Sequence, residues 1–163
     1  MAFLPEDYYV PTLVAGLRFR IRPITVHDVV RDYDAVMSSR EQLWAQFGPV
    51  WGWPRADLTL EEDLVDLAWH QKEAQLRRSF NYAVLTPDEA RLLGCIYIDP
   101  PVKVGADADV SFWVRTDEAE SGLEKELDDF VREWLGSAWP FKTVRYPGHD
   151  LSWADWQALP DLP

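Results

Sequence analysis

The stretch Ala108-Asp-Val-Ser-Phe-Trp-Val114, the acidic turn Arg115-Thr-Asp-Glu-Ala-Glu120 and the segment that follows to Leu135 carry the strongest structural signal in the chain. The first seven residues are predicted to form a strand. After the turn, apolar side chains recur with the spacing of one helical face, which predicts an amphipathic helix. The residues on that face are Leu123, Leu127, Phe130, Val131, Trp134 and Leu135.

A strand that passes through a short turn into a helix points free backbone N–H groups beyond the strand end. The start of such a helix is a favourable place for an anion to bind. This turn contains a single glycine, Gly122, and the nearby carboxylates oppose a phosphate at the same place. The carboxylates belong to Asp117, Glu118, Glu120 and Glu124.

Residues 108–124 resemble the acyl-CoA-binding motif of the GNAT-type N-acetyltransferases. In that family, a strand ending in an aromatic and an aliphatic residue is followed by a loop of the form Gln/Arg-x-x-Gly-x-Gly/Ala. The loop amides hold the CoA pyrophosphate at the start of the next helix. On this chain the three signature positions fall at Ala119, Gly122 and Glu124, so the central glycine alone matches.

The chain has 163 residues, which is the length of one domain. We expect a single domain over residues 1–163, with residues 1–16 as an N-terminal arm and residues 147–163 as a short C-terminal segment. Hydrophobic residues make up 47% of the chain, which predicts a packed core rather than disorder.

The composition is acidic, with 28 acidic against 16 basic residues and a formal net charge of -12. Binding to nucleic acid or to an anionic membrane would need a basic patch, so neither partner is expected. The negative field is compatible with a cationic partner or an amine substrate. The alternative is that the charge only keeps a tryptophan-rich protein soluble.

Cys95 is the only cysteine, and it lies in an apolar run, so we expect a buried structural thiol. The N-terminus lacks the basic region of a signal peptide, and no apolar run has the length of a membrane span. We therefore expect a cytoplasmic protein. His27, His70 and His149 show no metal-ligand spacing, and no metal is predicted.

The remaining elements follow from periodicity, capping boxes and turn residues. A first strand is predicted at Leu17–Arg22, with Leu17, Phe19 and Ile21 facing inward. Further predicted elements are helices at 25–37, 39–47, 59–78 and 121–136, an irregular segment at 48–54, and strands at 80–85, 91–98, 108–114 and 143–146. In the helix at 59–78, the apolar stripe is assigned to Leu60, Leu64, Leu67 and Ala68.

This order predicts an α+β fold with a mixed, mostly antiparallel sheet covered by helices on both faces. It is also the element order of the GNAT fold, which the chain resembles from Leu17 to Tyr146. The family continues with a helix and two strands that complete the acceptor site. Residues 147–163 are too short for these, although Leu151–Leu159 could form a short helix. The acceptor wall is therefore missing, or is supplied by a second subunit in a homodimer, or is replaced by the N-terminal arm.

The resemblance also implies site residues. Asp109 falls where many family members carry an acidic residue and is the candidate general base, with a solvent-facing edge position as the alternative. Tyr146 is the candidate acid for the leaving thiolate, with a packing role as the alternative. The resemblance places the cofactor acetyl-CoA along the backbone of Phe112, Trp113 and Val114 and at the loop residues Gly122, Leu123 and Glu124.

Trp51 and Trp53 lie in the segment that borders the acceptor pocket in this family. Two indoles in an acidic protein could hold an amine by cation–π contact, or they could fill the core beside Pro49 and Pro54. The predicted function is transfer of an acetyl group from acetyl-CoA to a primary amine of a small molecule or peptide. The alternative is a non-catalytic GNAT-fold binding module that has lost cofactor binding.

Overall fold

The computed structural model describes residues 2–163, so the first residue of the predicted N-terminal arm lies outside it. Six strands form one sheet in sequential order. They are β1 Val14–Ala15, β2 Arg20–Pro23, β3 Phe80–Leu85, β4 Leu92–Asp99, β5 Ala108–Val114 and β6 Val144–Arg145. All neighbouring pairs are antiparallel except the last, since β5 and β6 run parallel.

Five α-helices accompany the sheet: α1 Val29–Ser38, α2 Arg40–Trp51, α3 Leu60–Gln75, α4 Leu123–Ala138 and α5 Trp153–Ala158. The helix α4 packs on one face of the sheet, where its apolar side chains meet Val110 and Phe112. The helices α1 to α3 cover the other face around Phe47, Leu67 and Trp113. The predicted α+β class, with helices on both faces of a mostly antiparallel sheet, is confirmed.

The segment from Ala108 to Leu135 folds as its sequence predicts. The strand β5 occupies the seven predicted residues, and every one of them is buried. The predicted helical face of α4 is also correct, because Leu123, Leu127, Val131, Trp134 and Leu135 are buried and Phe130 packs against the same core. The strong periodicity of a segment buried on one side therefore determined α4.

The predicted first strand begins three residues late. Its expected inward residue Leu17 is fully exposed, whereas Phe19 and Ile21 are buried as predicted. The reason is a tight turn between β1 and β2, in which the Gly16 N–H donates to the Phe19 carbonyl at 2.9 Å. The intervening side chains, Leu17 and Arg18, project outward from this turn.

The prediction that residues 48–54 are irregular is wrong for their first half, because α2 continues through Pro49 to Trp51. Pro49 has no N–H to donate to the Ala45 carbonyl and its ring crowds that carbonyl, so it weakens the last turn of α2 without preventing it. The helix ends at Gly52, whose φ of 61° is left-handed and which donates its N–H to the Gly48 carbonyl at 2.9 Å.

The apolar stripe assigned to α3 is also wrong. Leu60 and Leu64 are each 41% exposed, and of the four assigned residues only Leu67 is buried. The buried face instead carries Asp63, which is 1% exposed. A carboxylic acid takes an interior position here because it meets a second acid, Asp32 of α1.

The predicted C-terminal helix forms as α5 and is anchored through Trp153. The Trp153 indole Nε1 donates to the Gln46 carbonyl of α2 at 2.8 Å. Among residues 2–163, no helix combines the length and the apolarity needed to cross a membrane.

Candidate functional site

The strands β5 and β6 pair only at their first two positions, Ala108 with Val144 and Asp109 with Arg145. Beyond these positions, the outer edge of β5 has no strand beside it. The Arg115 N–H donates to the Leu93 carbonyl of the β4 side at 2.8 Å. Because backbone groups alternate along a strand, the N–H and C=O groups of residues 110, 112 and 114 point to the outer edge.

Side chains from α2 reach this open edge of β5. The Gln46 Nε2 donates to the Phe112 carbonyl at 3.1 Å, and the Gln42 Nε2 donates to the Val114 carbonyl at 3.4 Å. The His149 ring stacks on the Phe112 ring, with centroids 4.0 Å apart and planes inclined by 11°. Of the residues predicted to follow a pantetheine arm, Phe112 and Val114 therefore offer their backbones to the open edge. The third, Trp113, belongs to the core covered by α1 to α3, where its indole N–H donates to the Tyr97 hydroxyl at 2.9 Å.

The turn after β5 uses most of its own N–H groups. Five of them donate within the protein: Thr116 to Ser39 Oγ at 3.0 Å, Glu118 to the Arg115 carbonyl at 3.1 Å, Ala119 to the Thr116 carbonyl at 3.1 Å, Ser121 to the Glu118 carbonyl at 3.0 Å and Leu123 to Ser121 Oγ at 3.2 Å. Within the described residues, no protein acceptor meets the N–H groups of Glu124 and Lys125 in the first turn of α4. A diphosphate would therefore find two free helix donors there.

The predicted loop residues occupy the expected places. Gly122 caps α4 with a left-handed φ of 80°, and Leu123 is buried beneath the helix start. The Glu124 side chain is exposed and makes no ion pair or hydrogen bond with residues 2–163. Two other turn acids are ion-paired: Asp117 pairs with Arg91 and Arg115, and Glu118 pairs with Arg91 at 2.7 Å. The turn is therefore less negative than its composition indicates.

The proposed base Asp109 is held in an ion pair. Its Oδ1 accepts from Arg145 Nε at 2.6 Å, and its Oδ2 accepts from Arg145 Nη2 at 3.0 Å and from Trp156 Nε1 at 3.2 Å. The residue is 8% exposed, so the solvent-facing alternative is wrong, and the catalytic role of Asp109 remains a prediction. Both of its carboxylate oxygens already accept charge-assisted or indole hydrogen bonds within the protein.

Tyr146, the candidate acid, packs under Arg132, whose guanidinium carbon lies 4.4 Å from the ring centroid. It is 8% exposed and belongs to the core on the α4 side. Burial raises the pKa of its hydroxyl above the usual value, and the Arg132 charge counteracts part of this effect. The packing alternative describes this position, and the catalytic role of Tyr146 remains a prediction.

Both tryptophans that were proposed to hold an amine line the same cavity of about 450 Å³. We call it the aromatic cavity, and it is lined by Trp51, Trp53, Asp66, Trp69, His70, Tyr97 and Asp99. Trp51 is fixed by stacking on Phe47, with ring centroids 4.5 Å apart and planes inclined by 4°. No lysine or arginine lines this cavity.

The charges in the aromatic cavity are carboxylates. Burial lowers the pKa of His70 below its usual value, with Asp66 counteracting part of the effect, so the imidazole is neutral at pH 7. Burial raises the pKa of Asp99 to about 7, and the nearby Asp109 adds to the rise. The Lys72 ammonium lies 5.7 Å from the Trp69 ring centroid, but the lining itself, all within residues 2–163, has aromatic faces and carboxylates and no lysine or arginine. Such a lining favours a positively charged ligand beside Trp51 and Trp53.

A smaller cavity of about 160 Å³ adjoins the aromatic cavity, and both share Trp51 and Asp99. Its remaining wall includes Asp109 and Ser111 of β5 and Trp153 and Trp156 of the C-terminal segment. Trp153 and Trp156 of the C-terminal segment therefore contribute to the wall of this smaller cavity. The two cavities together reach from α3 to β5.

Five residues of the aromatic cavity were not predicted from the sequence. Asp66, Trp69 and His70 are on α3, where the apolar stripe was assigned to the wrong face, and Tyr97 and Asp99 lie at the end of β4. One signal was available, because Asp99 closes a strongly apolar strand directly before Pro100 and Pro101. Carboxylates at the end of a buried strand are candidates for a site.

Two acidic side chains, those of Asp32 and Asp63, lie buried beside each other close to this region, and Asp63 Oδ2 has no hydrogen-bond partner among the other groups of residues 2–163. The Cys95 thiol, buried as predicted, donates to Asp32 Oδ1 at 3.7 Å. Burial raises the pKa of Asp63 to about 6 and that of Asp32 well above its usual range. Burial disfavours two charges at this place, so the pair retains a proton above the pH at which exposed aspartates lose theirs, and Asp32 and Asp63 Oδ2 can share that proton.

This pair predicts a pH-dependent stability. The folded protein holds protons that the unfolded chain releases above pH 4, so the free energy of unfolding falls as the pH rises toward 6 and above. In Asp63→Asn the side-chain amide can donate to Asp32 without a proton. Between pH 4.5 and 7.5, the free energy of unfolding of this variant, measured with urea, should fall by about 2 kcal/mol less than that of the wild type. Glu61→Gln, an exposed change on the same helix, is the control. If the free energy of unfolding of Asp63→Asn falls with pH as steeply as that of the wild type, the shared proton is contradicted.

Neither a protein-family model nor a curated protein sequence matches this chain. Solved structures do match it. The ribosomal-protein-S5-alanine acetyltransferase from Vibrio fischeri superposes with a TM-score of 0.61 at 15% identity, covering 78% of this chain and 69% of that one. The ribosomal L7/L12 alpha-N-protein acetyltransferase RimL, in complex with coenzyme A, gives 0.60 at 12% identity, covering 75% and 67%.

A third match is the microcin C7 self-immunity acetyltransferase MccE in complex with acetyl-CoA and AMP, with a TM-score of 0.55 at 10% identity, covering 73% of this chain and 63% of that one. The chain thus spans about two thirds of the length of these proteins. The chain has the fold of the GNAT-type N-acetyltransferases, as its resemblance to that family predicted.

Proposed function

We propose that this chain is an acyltransferase that moves an acetyl group from acetyl-CoA to a primary amine of a small molecule or peptide. The aromatic cavity is the observation that supports the proposal most directly. Its lining suits a cation, and it shares Trp51 and Asp99 with the smaller cavity, which borders β5, the strand whose outer edge is open. An amine bound in the aromatic cavity would approach a thioester held at β5 through the smaller cavity.

The acceptor follows from the cavity lining. Indole faces attract an ammonium group, and Asp66 and Asp99 complement its charge. An amine that also carries a carboxylate would meet two acids without a lysine or arginine to balance it. The proposed acceptor is therefore an alkylamine or a lysine-like side chain rather than a free amino acid.

The proposed binding of acetyl-CoA, which supplies an activated acetyl thioester, would use backbone groups. The outer edge at residues 110–114 suits the amides of the pantetheine arm. At present Phe112 and Val114 accept bonds from Gln46 and Gln42, so amide groups of the arm could take the places of glutamine amides. The free N–H groups of Glu124 and Lys125 are the donors left for the diphosphate.

The experiment that tests this function is a calorimetric titration with acetyl-CoA at low salt, combined with thiol release in the presence of a panel of primary amines. We expect saturable binding of acetyl-CoA and thiol release that depends on the amine. The variant Trp51→Ala should lower kcat/KM for the amines about tenfold, because one indole face is lost. Its affinity for acetyl-CoA should stay unchanged, since Trp51 is not among the edge groups of β5 and the helix donors proposed to hold acetyl-CoA.

The proposal fails if millimolar acetyl-CoA gives no heat and no amine gives thiol release. The amine-binding role of the aromatic cavity fails separately if Trp51→Ala keeps both the stability and the turnover of the wild type with every amine. Circular dichroism of the variant establishes that a loss of turnover does not come from unfolding.

A second candidate is a non-catalytic module that binds a cationic ligand in the aromatic cavity and no longer takes up acetyl-CoA. The observation that favours it is the turn after β5, where five N–H groups already have protein acceptors and several carboxylates remain. This candidate predicts amine binding by calorimetry without any uptake of acetyl-CoA, so the titration above separates the two functions.

A further inference from the structure

We propose that Asp99, rather than Asp109, takes the proton from the bound amine, an inference that rests on the proposed acetyl transfer. Asp99 ends β4 and lies directly opposite Asp109 of β5, its partner in the strand register. It lines both the aromatic cavity and the smaller cavity, so it stands where the amine would pass from one to the other.

The two carboxylates differ in what holds them. Asp109 accepts two bonds from Arg145 and one from Trp156. Asp99 accepts no hydrogen bond and makes no ion pair with any side chain in residues 2–163. Of the two acids at this junction, only Asp99 has carboxylate lone pairs that are free to receive a proton.

The surroundings also suit a base. Burial raises the pKa of Asp99 to about 7, with a further contribution from Asp109. This makes Asp99 about a thousandfold more basic than an exposed aspartate and brings it closer to the basicity of an amine. The other ionisable groups around it are Asp66 and His70 of α3, and Arg145 of β6, which neutralises Asp109.

In the proposed acetyl transfer, the bound ammonium first gives one proton to the Asp99 carboxylate. The nitrogen lone pair then forms a C–N bond with the carbonyl carbon of the thioester. The C–S bond then breaks, and the thiolate takes the second proton that the nitrogen loses. The products are the N-acetyl amine, the free thiol and protonated Asp99, which returns its proton to water.

The test compares Asp99→Asn with Asp66→Asn, which removes a carboxylate from the same cavity without removing the proposed base. We expect Asp99→Asn to lower kcat/KM about a hundredfold and to abolish the fall in rate on the acidic side of the pH profile near pH 7. Asp66→Asn should raise KM for the amine and keep that acidic limb. Asp99→Glu should restore part of the rate together with the limb.

A second readout does not depend on turnover. Amine binding is measured by calorimetry in two buffers of different ionisation enthalpy, which gives the number of protons exchanged with the solvent. Near pH 7 the wild type should exchange protons because Asp99 titrates, and Asp99→Asn should exchange fewer.

The inference is overturned if Asp99→Asn is active with an unchanged acidic limb, or if its proton exchange equals that of the wild type. In both cases the proposed acetyl transfer stands as long as the wild type releases thiol. If the wild type releases no thiol with any amine, the acetyl transfer fails and the role of Asp99 fails with it.

Discussion

Gly94→Ala is expected to lower the free energy of unfolding by about 3 kcal/mol or more. An added Cβ at this position in β4 would lie 2.0 Å from the Trp113 carbonyl oxygen and 3.2 Å from the Val114 Cα. These are backbone atoms of the paired strand, which cannot turn away as a side chain can. The strands β4 and β5 would have to separate, and a large part of the sheet pairing would be strained.

The matched control is Gly136→Ala in α4, where an added Cβ meets no atom within 4 Å. Alanine is favoured over glycine inside a helix by about 1 kcal/mol, so this variant should be as stable as the wild type or more stable. Urea unfolding of both variants measures the difference. If Gly94→Ala unfolds at the wild-type urea concentration, the close approach of β4 and β5 at Trp113 does not exist in solution.

The central strands could be predicted from the sequence because their signals are local. Residues Phe80–Leu85 and Ala108–Val114 match β3 and β5 without any error in their bounds, and both are buried along their whole length. The turn at Thr86-Pro-Asp-Glu89 carries the residues that a hairpin needs, and Glu89 takes a left-handed φ of 57° there.

The errors arose where distant contacts decided the outcome. The burial of Asp63 depends on Asp32, which comes from another helix, and no periodicity of apolar residues reveals such a pair. For the same reason, α3 was assigned an apolar face at Leu60 and Leu64 that the structure leaves half exposed. The prediction of α3 as a helix was still correct, because the capping residue Thr59 marks where it begins.

The same distinction between local and distant contacts explains which residues of the candidate site could be predicted. Trp51 and Trp53 could be grouped in advance because they are neighbours in the sequence. Their cavity partners on α3 and at the end of β4 could not be grouped, since only the tertiary fold brings these segments together. The ion pair of Asp109 could not be predicted, because its partner, Arg145, reaches it only through the parallel pairing of β5 with β6.

Arg145→Met is expected to destabilise the protein by about 3 kcal/mol at pH 7, because it leaves the Asp109 charge buried without its main partner. The side chains of this pair are only 12% and 10% exposed. Loss of the guanidinium is sufficient for this effect, because it removes two hydrogen bonds to the Asp109 carboxylate. Urea unfolding at pH 7 measures the loss, and a change below about 1 kcal/mol would show that the pair behaves as an exposed one.

The double variant Arg145→Met/Asp109→Leu separates the ion pair from catalysis. Two apolar side chains leave no buried charge, so most of the lost stability should return. Because Asp109 contributes to the raised pKa of Asp99, after the larger contribution from burial, its removal should move the acidic limb of the pH profile to lower pH. A double variant that regains stability and keeps a shifted limb assigns Asp109 a positioning and electrostatic role. A double variant that regains stability but has no turnover at any pH would instead make Asp109 the base and contradict the role proposed for Asp99.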